Sequence, residues 1–251
     1  AGESHNDSCM VLGLCFALWW MQRGRRYSSA IALALATVAK PFVGWLFLDH
    51  SRRFGAAGPI VAAIVAGLFY LPFASAGMGL FGSLGRFGGE MHFHGALEPF
   101  IRLFWTGLLP AEALRPAVLA TLACTLVFGT WLILGRRDAS HSAMATAGRL
   151  LALLILCLPT CYPWYMLPIA ACLPFLPGSP GLLLWTAMTP VFYLHGFAII
   201  EERAAGGEWA EWPLATALAH TPALLLLAWE SIGRPGLPRQ IEETTLLPEH
   251  A

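Results

Sequence analysis

Apolar residues come in long, nearly unbroken runs along the chain, and polar residues gather in short clusters between them. The first run, 8–22, follows Asn6-Asp7-Ser8, whose short polar side chains suit a helix N-cap. A positive turn, RGRRYSS, ends it. The second run, 28–54, carries SSAIALALATVAKPFVGWLFLDHS and contains a lysine followed by a proline. Proline donates no backbone hydrogen bond and pushes the residue before it out of the helical region. A cation at bilayer depth costs roughly 2.5–3.5 kcal/mol. A break and a charge at one point predict two short helices that rise to Lys40 and fall away, closing near residues 49–53, with the ammonium open to water at the turn.

Further along, Pro59 is expected to open a helix to about Ala76, and residues 77–115 to form a long amphipathic loop. Pro116 is expected to open a span ending at Arg136-Arg137. Residues 149–177 repeat the first hairpin, with a broken tip PTCYPWY, and two spans are expected at 181–200 and 213–232 around an acidic linker. The fold class is thus all-α, a polytopic transmembrane bundle with two broken short-helix hairpins and an external amphipathic loop. One transmembrane domain is expected over 1–233, with a polar, Pro-rich cytoplasmic tail over 234–251.

Charge decides between topologies. With both broken segments as hairpins, ten bases share one side: Arg23, Arg25, Arg26, Arg52, Arg53, Arg136, Arg137, Arg149, Arg234 and Arg239. Lys40, Arg86, Arg102, Arg115 and Arg203 fall on the other, with most acids. That is the asymmetry of the positive-inside rule. A single crossing through 28–54 largely removes it. Helices of roughly 13 residues reach only about 20 Å, less than a hydrocarbon slab of about 30 Å, so their tips should line a water-filled funnel.

Composition agrees: 57% hydrophobic, 12% charged and a mean hydropathy of +0.63, against roughly 25% charged for soluble domains. Zero net charge gives no footprint for nucleic acid, and no nucleotide-binding or hydrolase motif occurs. The six cysteines form no metal spacing and are expected as small buried hydrophobes. No Met opens the chain, and a polar start at Ala1 is expected for a piece lacking its N-terminal part.

On this topology residues 3–8, Lys40, the EMHFHG segment and the CYPWY tip meet at the outer face. Lys40, the sole lysine, offers a point charge to a phosphate. Tyr162, Trp164 and Tyr165 offer faces to sugar CH groups, or form only an interfacial aromatic belt. The set suits a phosphorylated, sugar-bearing lipid. A structural alternative for Lys40 is neutralising a carboxylate between helices. Asp7 reads as an N-cap residue; with His5 and Asn6 it is also a candidate for binding acceptor hydroxyls or a metal, and a weak candidate for general base. His94 is a candidate sugar contact, against plain loop polarity. A divalent cation is the one cofactor considered, at Asp7 and His5 or at Glu90, His92 and His94. His195 and His220 are expected in helix–helix hydrogen bonds, and Glu201, Glu202, Glu208 and Glu211 in a solvated loop.

SHND entering a helix, then RGRR, then an apolar run ending in AKPF with a return helix, resembles the central part of GT-C-type glycosyltransferases, nearest the bacterial mannosyltransferase-like members. CYPWYMLPI is similar to their Pro-Trp-Tyr element, and HFHGALEPFIRLF loosely to an aromatic-polar-Gly loop. The resemblance implies a multi-pass protein of the bacterial inner membrane and a polyprenyl-phosphate hexose donor, with mannose favoured. It also implies a lipid or glycan acceptor and inverting transfer at the outer face. The main catalytic carboxylate is then expected upstream of residue 1, and residues 1–251 alone are expected to be inactive. The competing readings are a transporter or lipid-carrier flippase with a broken-helix site and a non-catalytic membrane scaffold.

Overall fold

The computed structural model describes residues 6–81, 94–135, 142–176, 178–188, 191 and 213–233. Their regular elements are all helices, α or 3-10, with no strand beyond one isolated bridge between His94 and Thr160. The first helix, α1 (Asp7–Gln22), starts one residue before the expected point, and Asn6 at its cap makes no side-chain capping bond. α2 (Arg26–Ala39) runs back antiparallel to α1. Small residues set their spacing: a Cβ at Gly13 would lie 3.2 Å from the Ala32 oxygen and from Ala36 Cβ, the close approach that small-residue seams allow between membrane helices.

α2 ends where the lysine–proline pair predicts. Lys40 is extended (φ −146°, ψ 106°), and Pro41–Leu46 continues as a 3-10 turn before α3 (Phe47–Phe54). The return half is therefore not the uniform short helix expected; Pro41 starts it as the tighter winding, and only its last eight residues are α-helical. It folds back on α2. A Cβ at Gly44 would touch Thr37 at 2.9 Å, and His50 Nε2 lies 3.1 Å from the Arg26 carbonyl and 3.0 Å from Ser29 Oγ. Only an antiparallel hairpin brings residue 50 to residues 26 and 29. It also sets Arg52 and Arg53 beside the Arg23–Arg26 turn.

The second hairpin has the same plan. α7 (Ala143–Cys157) is capped by Ser142, whose Oγ accepts from the Ala145 N–H at 3.0 Å. After the tip, Pro163–Met166 and Leu173–Phe175 are 3-10 turns on either side of the six-residue α8 (Leu167–Cys172). Pro163, Pro168 and Pro174 chop this half into pieces. A Cβ at Gly148 would meet Leu176 and Cys172 at 2.6 and 2.9 Å, so this segment also returns.

Among the described residues, two helices are long and apolar enough to cross a membrane: α4 (Ala57–Tyr70), continued by 3-10 winding to Gly77, and α6 (Ala111–Gly135). Their outward side chains are large and apolar, with Ile64 57% and Trp131 64% exposed. The expected loop 77–115 is corrected in part. It contains α5 (Glu98–Thr106), and α6 begins at Ala111, with Pro116 inside its second turn rather than at its start. Residues 82–93, with Arg86, Glu90 and His92, lie outside the described residues, as do Arg136, Arg137, the acidic linker and the tail. The expected span 181–200 is helical over α9 (Pro180–Ala187), and residues 192–200, with His195, are again outside the description. α10 (Pro213–Gly233) matches its expected span within a residue. The cysteine expectation holds for Cys157, Cys161 and Cys172, which are buried, while Cys9, Cys15 and Cys124 are exposed on apolar helix faces.

Candidate functional site

The N-terminal turn of α1 and the tip of the first hairpin meet at an ion pair. Lys40 Nζ lies 3.2 Å from Asp7 Oδ1, with side-chain exposures of 24% and 5%. The geometry follows from the antiparallel helix pair, since residue 7 begins α1 where residue 39 ends α2. Lys40 is therefore more covered than a fully wet turn and has a carboxylate partner. Asp7 also sits in the first turn of α1, where the helix dipole favours negative charge. A lysine ammonium has three donors, so one contact with Asp7 does not exhaust it.

The second tip packs against the first. The Phe42 and Tyr165 rings are 5.1 Å apart. Tyr165 is buried, meets Tyr162 edge-on at 5.7 Å, and Tyr162 stacks on Trp164 at 4.7 Å and 6°. Tyr162 and Trp164 keep part of their surface open. Four rings thus form a continuous aromatic set joined to the residue two positions after Lys40. Phe42 was not singled out in the sequence; its place after the Lys-Pro break was the available signal.

His94 and the tip are joined differently. His94 is fully buried, adopts φ +50°, and its Nδ1 shares a 2.6 Å hydrogen bond with Thr216 Oγ1. Its carbonyl accepts from His220 Nε2–H at 2.8 Å, while Trp185 Nε1–H donates to His220 Nδ1 at 2.8 Å. The carbonyl can only accept, so the proton of His220 is on Nε2. This chain of bonds ties α9, α10 and the residues before α5 to Thr160 at the second tip. His94 is thus placed in packing rather than on an open loop, and His220 makes the helix–helix bond expected of it.

Glu98, also missed in the sequence, is buried at the start of α5 and ion-paired with Arg102, whose Nε donates to it at 2.6 Å. Its i,i+4 spacing was the legible signal. Asn6 is exposed beside Asp7 and His5 lies outside the described residues. No group of metal-ligating side chains occurs among the described residues.

Neither a curated protein nor a solved structure matches the chain. The profile of Glycosyltransferase family 87 matches residues 4–159, which include both helices of the ion pair, the first hairpin and the ascending half of the second. With that match over more than half its length, the chain belongs to glycosyltransferase family 87, GT-C membrane enzymes that take their sugar from polyprenyl-phosphate donors.

Proposed function

We propose that the chain transfers a hexose, with mannose favoured, from a polyprenyl-phosphate carrier to a lipid or glycan acceptor on the outer face of a bacterial inner membrane. The observation that carries this is the Lys40–Asp7 pair at the foot of an aromatic cluster. Lys40 binds the donor phosphate through donors that Asp7 leaves free. Asp7 fixes the ammonium in place. Tyr162 and Trp164 present their open faces to the sugar, and Tyr165 backs them from the core. An acceptor hydroxyl loses its proton to a carboxylate and attacks the anomeric carbon. The bond from that carbon to the phosphate oxygen breaks, and the polyprenyl phosphate leaves. Its growing charge is met by Lys40 and by the N-terminal dipole of α1. The base is unassigned, with Asp7 a candidate; His5 and Asn6 are the remaining proposed substrate contacts, and His94, fully buried against Thr216, supports the fold instead.

The test is transfer by the full natural protein in membranes, from polyprenyl-phosphate mannose and polyprenyl-phosphate glucose, for wild type, Lys40→Arg and Lys40→Ala. Loss of a catalytic electrostatic contact commonly costs about a hundredfold or more in turnover, so Lys40→Ala is expected to fall that far and Lys40→Arg to keep part of the rate. Full turnover by Lys40→Ala at limiting donor overturns the phosphate assignment. Equal rates from the two donors overturn the preference for mannose.

A further inference from the structure

Away from the ion pair, an apolar groove of about 380 Å³ runs between α1, the first turn of α7 and the return half of the second hairpin. Leu12, Cys15, Phe16 and Trp19 form one wall, and Met144 and Phe175 stand opposite. Among the described residues, no charged side chain lines it. Its α1 wall covers eight residues, roughly 12 Å of helix, and ends at Trp19. There the character changes abruptly. The Arg23 guanidinium lies over the Trp19 ring at 3.9 Å, and Arg25 and Arg26 are exposed on the same turn. Gln22 Oε1 accepts the Ala143 N–H at 3.0 Å and ties α1 to α7 at this end.

An apolar slot on a membrane protein, headed by a cation at one end only, matches a lipid in both shape and charge. Stacking uses the flat face of the Arg23 guanidinium, while its N–H donors lie in the plane and suit phosphate oxygens. Basic turns at a membrane surface attract anionic lipids. We infer that the groove seats an acyl chain of an anionic phospholipid whose phosphate rests on Arg23, with Arg25 and Arg26 adding to the field. The tail of the sugar donor fits less well. The groove starts five residues from Asp7, and its cationic end is the one remote from Lys40.

Purified full-length protein in nanodiscs is exposed to phosphatidylglycerol or phosphatidylcholine carrying a photoreactive diazirine on the acyl chain, and labelled peptides are mapped. Phosphatidylglycerol is expected to label segments 12–19 and 171–175 about fivefold or more above phosphatidylcholine, the effect of one surface arginine. Arg23→Gln is expected to bring the two lipids close to parity without lowering the melting temperature, since the side chain is exposed. Cys15→Trp, which fills the slot, removes labelling by both. Equal labelling of wild type by the two lipids overturns the inference, as does a preference that survives Arg23→Gln. Displacement of the label by polyprenyl phosphate in preference to phosphatidylglycerol assigns the groove to the donor, and absence of labelling assigns it to a covering helix or second copy.

Discussion

At the scale of single residues, Lys40 and Asp7 carry two roles that experiment can separate. Removing one member of a buried pair strands the other charge, which costs about 3–5 kcal/mol when both are fully buried; the 24% exposure of Lys40 places this pair at or below the low end. Asp7→Leu alone is therefore expected to lower the melting temperature in detergent. Asp7→Leu combined with Lys40→Met is expected to recover most of that loss while transfer is about a hundredfold or more below wild type. If the double variant is no more stable than Asp7→Leu, the pair is not the source of the loss. A second residue-scale prediction concerns Gly58 at the opposite end of the hairpin. A Cβ there would lie 2.2 Å from Nδ1 of the fully buried His50. Gly58→Ala is expected to destabilise by about 1–3 kcal/mol through overpacking, read in denaturant unfolding. Adding His50→Ala should restore part of it; no recovery would mean that His50 does not set the constraint.

At the scale of elements, the two hairpins determine which loops share a side. His50 reaches back to Arg26, Arg53 Nη2 donates to Thr146 Oγ1 at 3.4 Å, and Gln22 meets Ala143. The Arg-rich turns and the start of α7 are thus neighbours. In a background cleared of native thiols, Arg25→Cys and Arg52→Cys are expected to react with an impermeant reagent from one face of sealed vesicles. Ala111→Cys, after the long span of α4, is expected to react from the other. Labelling of Arg52→Cys from the same face as Ala111→Cys would mean a single crossing through 28–54. Prolines explain why neither return half is a plain helix. Pro41 and Pro163 each open one with 3-10 winding, and Pro168 and Pro174 keep α8 to six residues.

At the scale of the whole molecule, a network of buried polar side chains fastens α9 and α10 to the second tip. His220 is held from both sides, by Trp185 and by the His94 carbonyl. Replacing it strands the buried Trp185 N–H, which costs about 1–3 kcal/mol, and takes one bond from the His94 carbonyl. His220→Phe is expected to lower the melting temperature markedly, and Trp185→Phe to lower it less because one bond is lost; equal, negligible shifts would show that the network does not fasten the bundle. The sequence by itself determined the helical class, the break at Lys40, both hairpins and the family resemblance. Those follow from local rules: long apolar runs must satisfy their backbone internally, proline removes a donor, and arginines sort to one side. Sequence also marked Lys40, Asp7 and the CYPWY aromatics as chemistry-bearing without showing who pairs with whom. The tertiary structure decided that Lys40 meets Asp7, that Phe42 bridges the tips, that Glu98 is buried with Arg102 and that His94 is locked by residues more than a hundred positions away. Such contacts depend on how distant helices cross, and no local pattern of apolar and polar positions encodes that crossing.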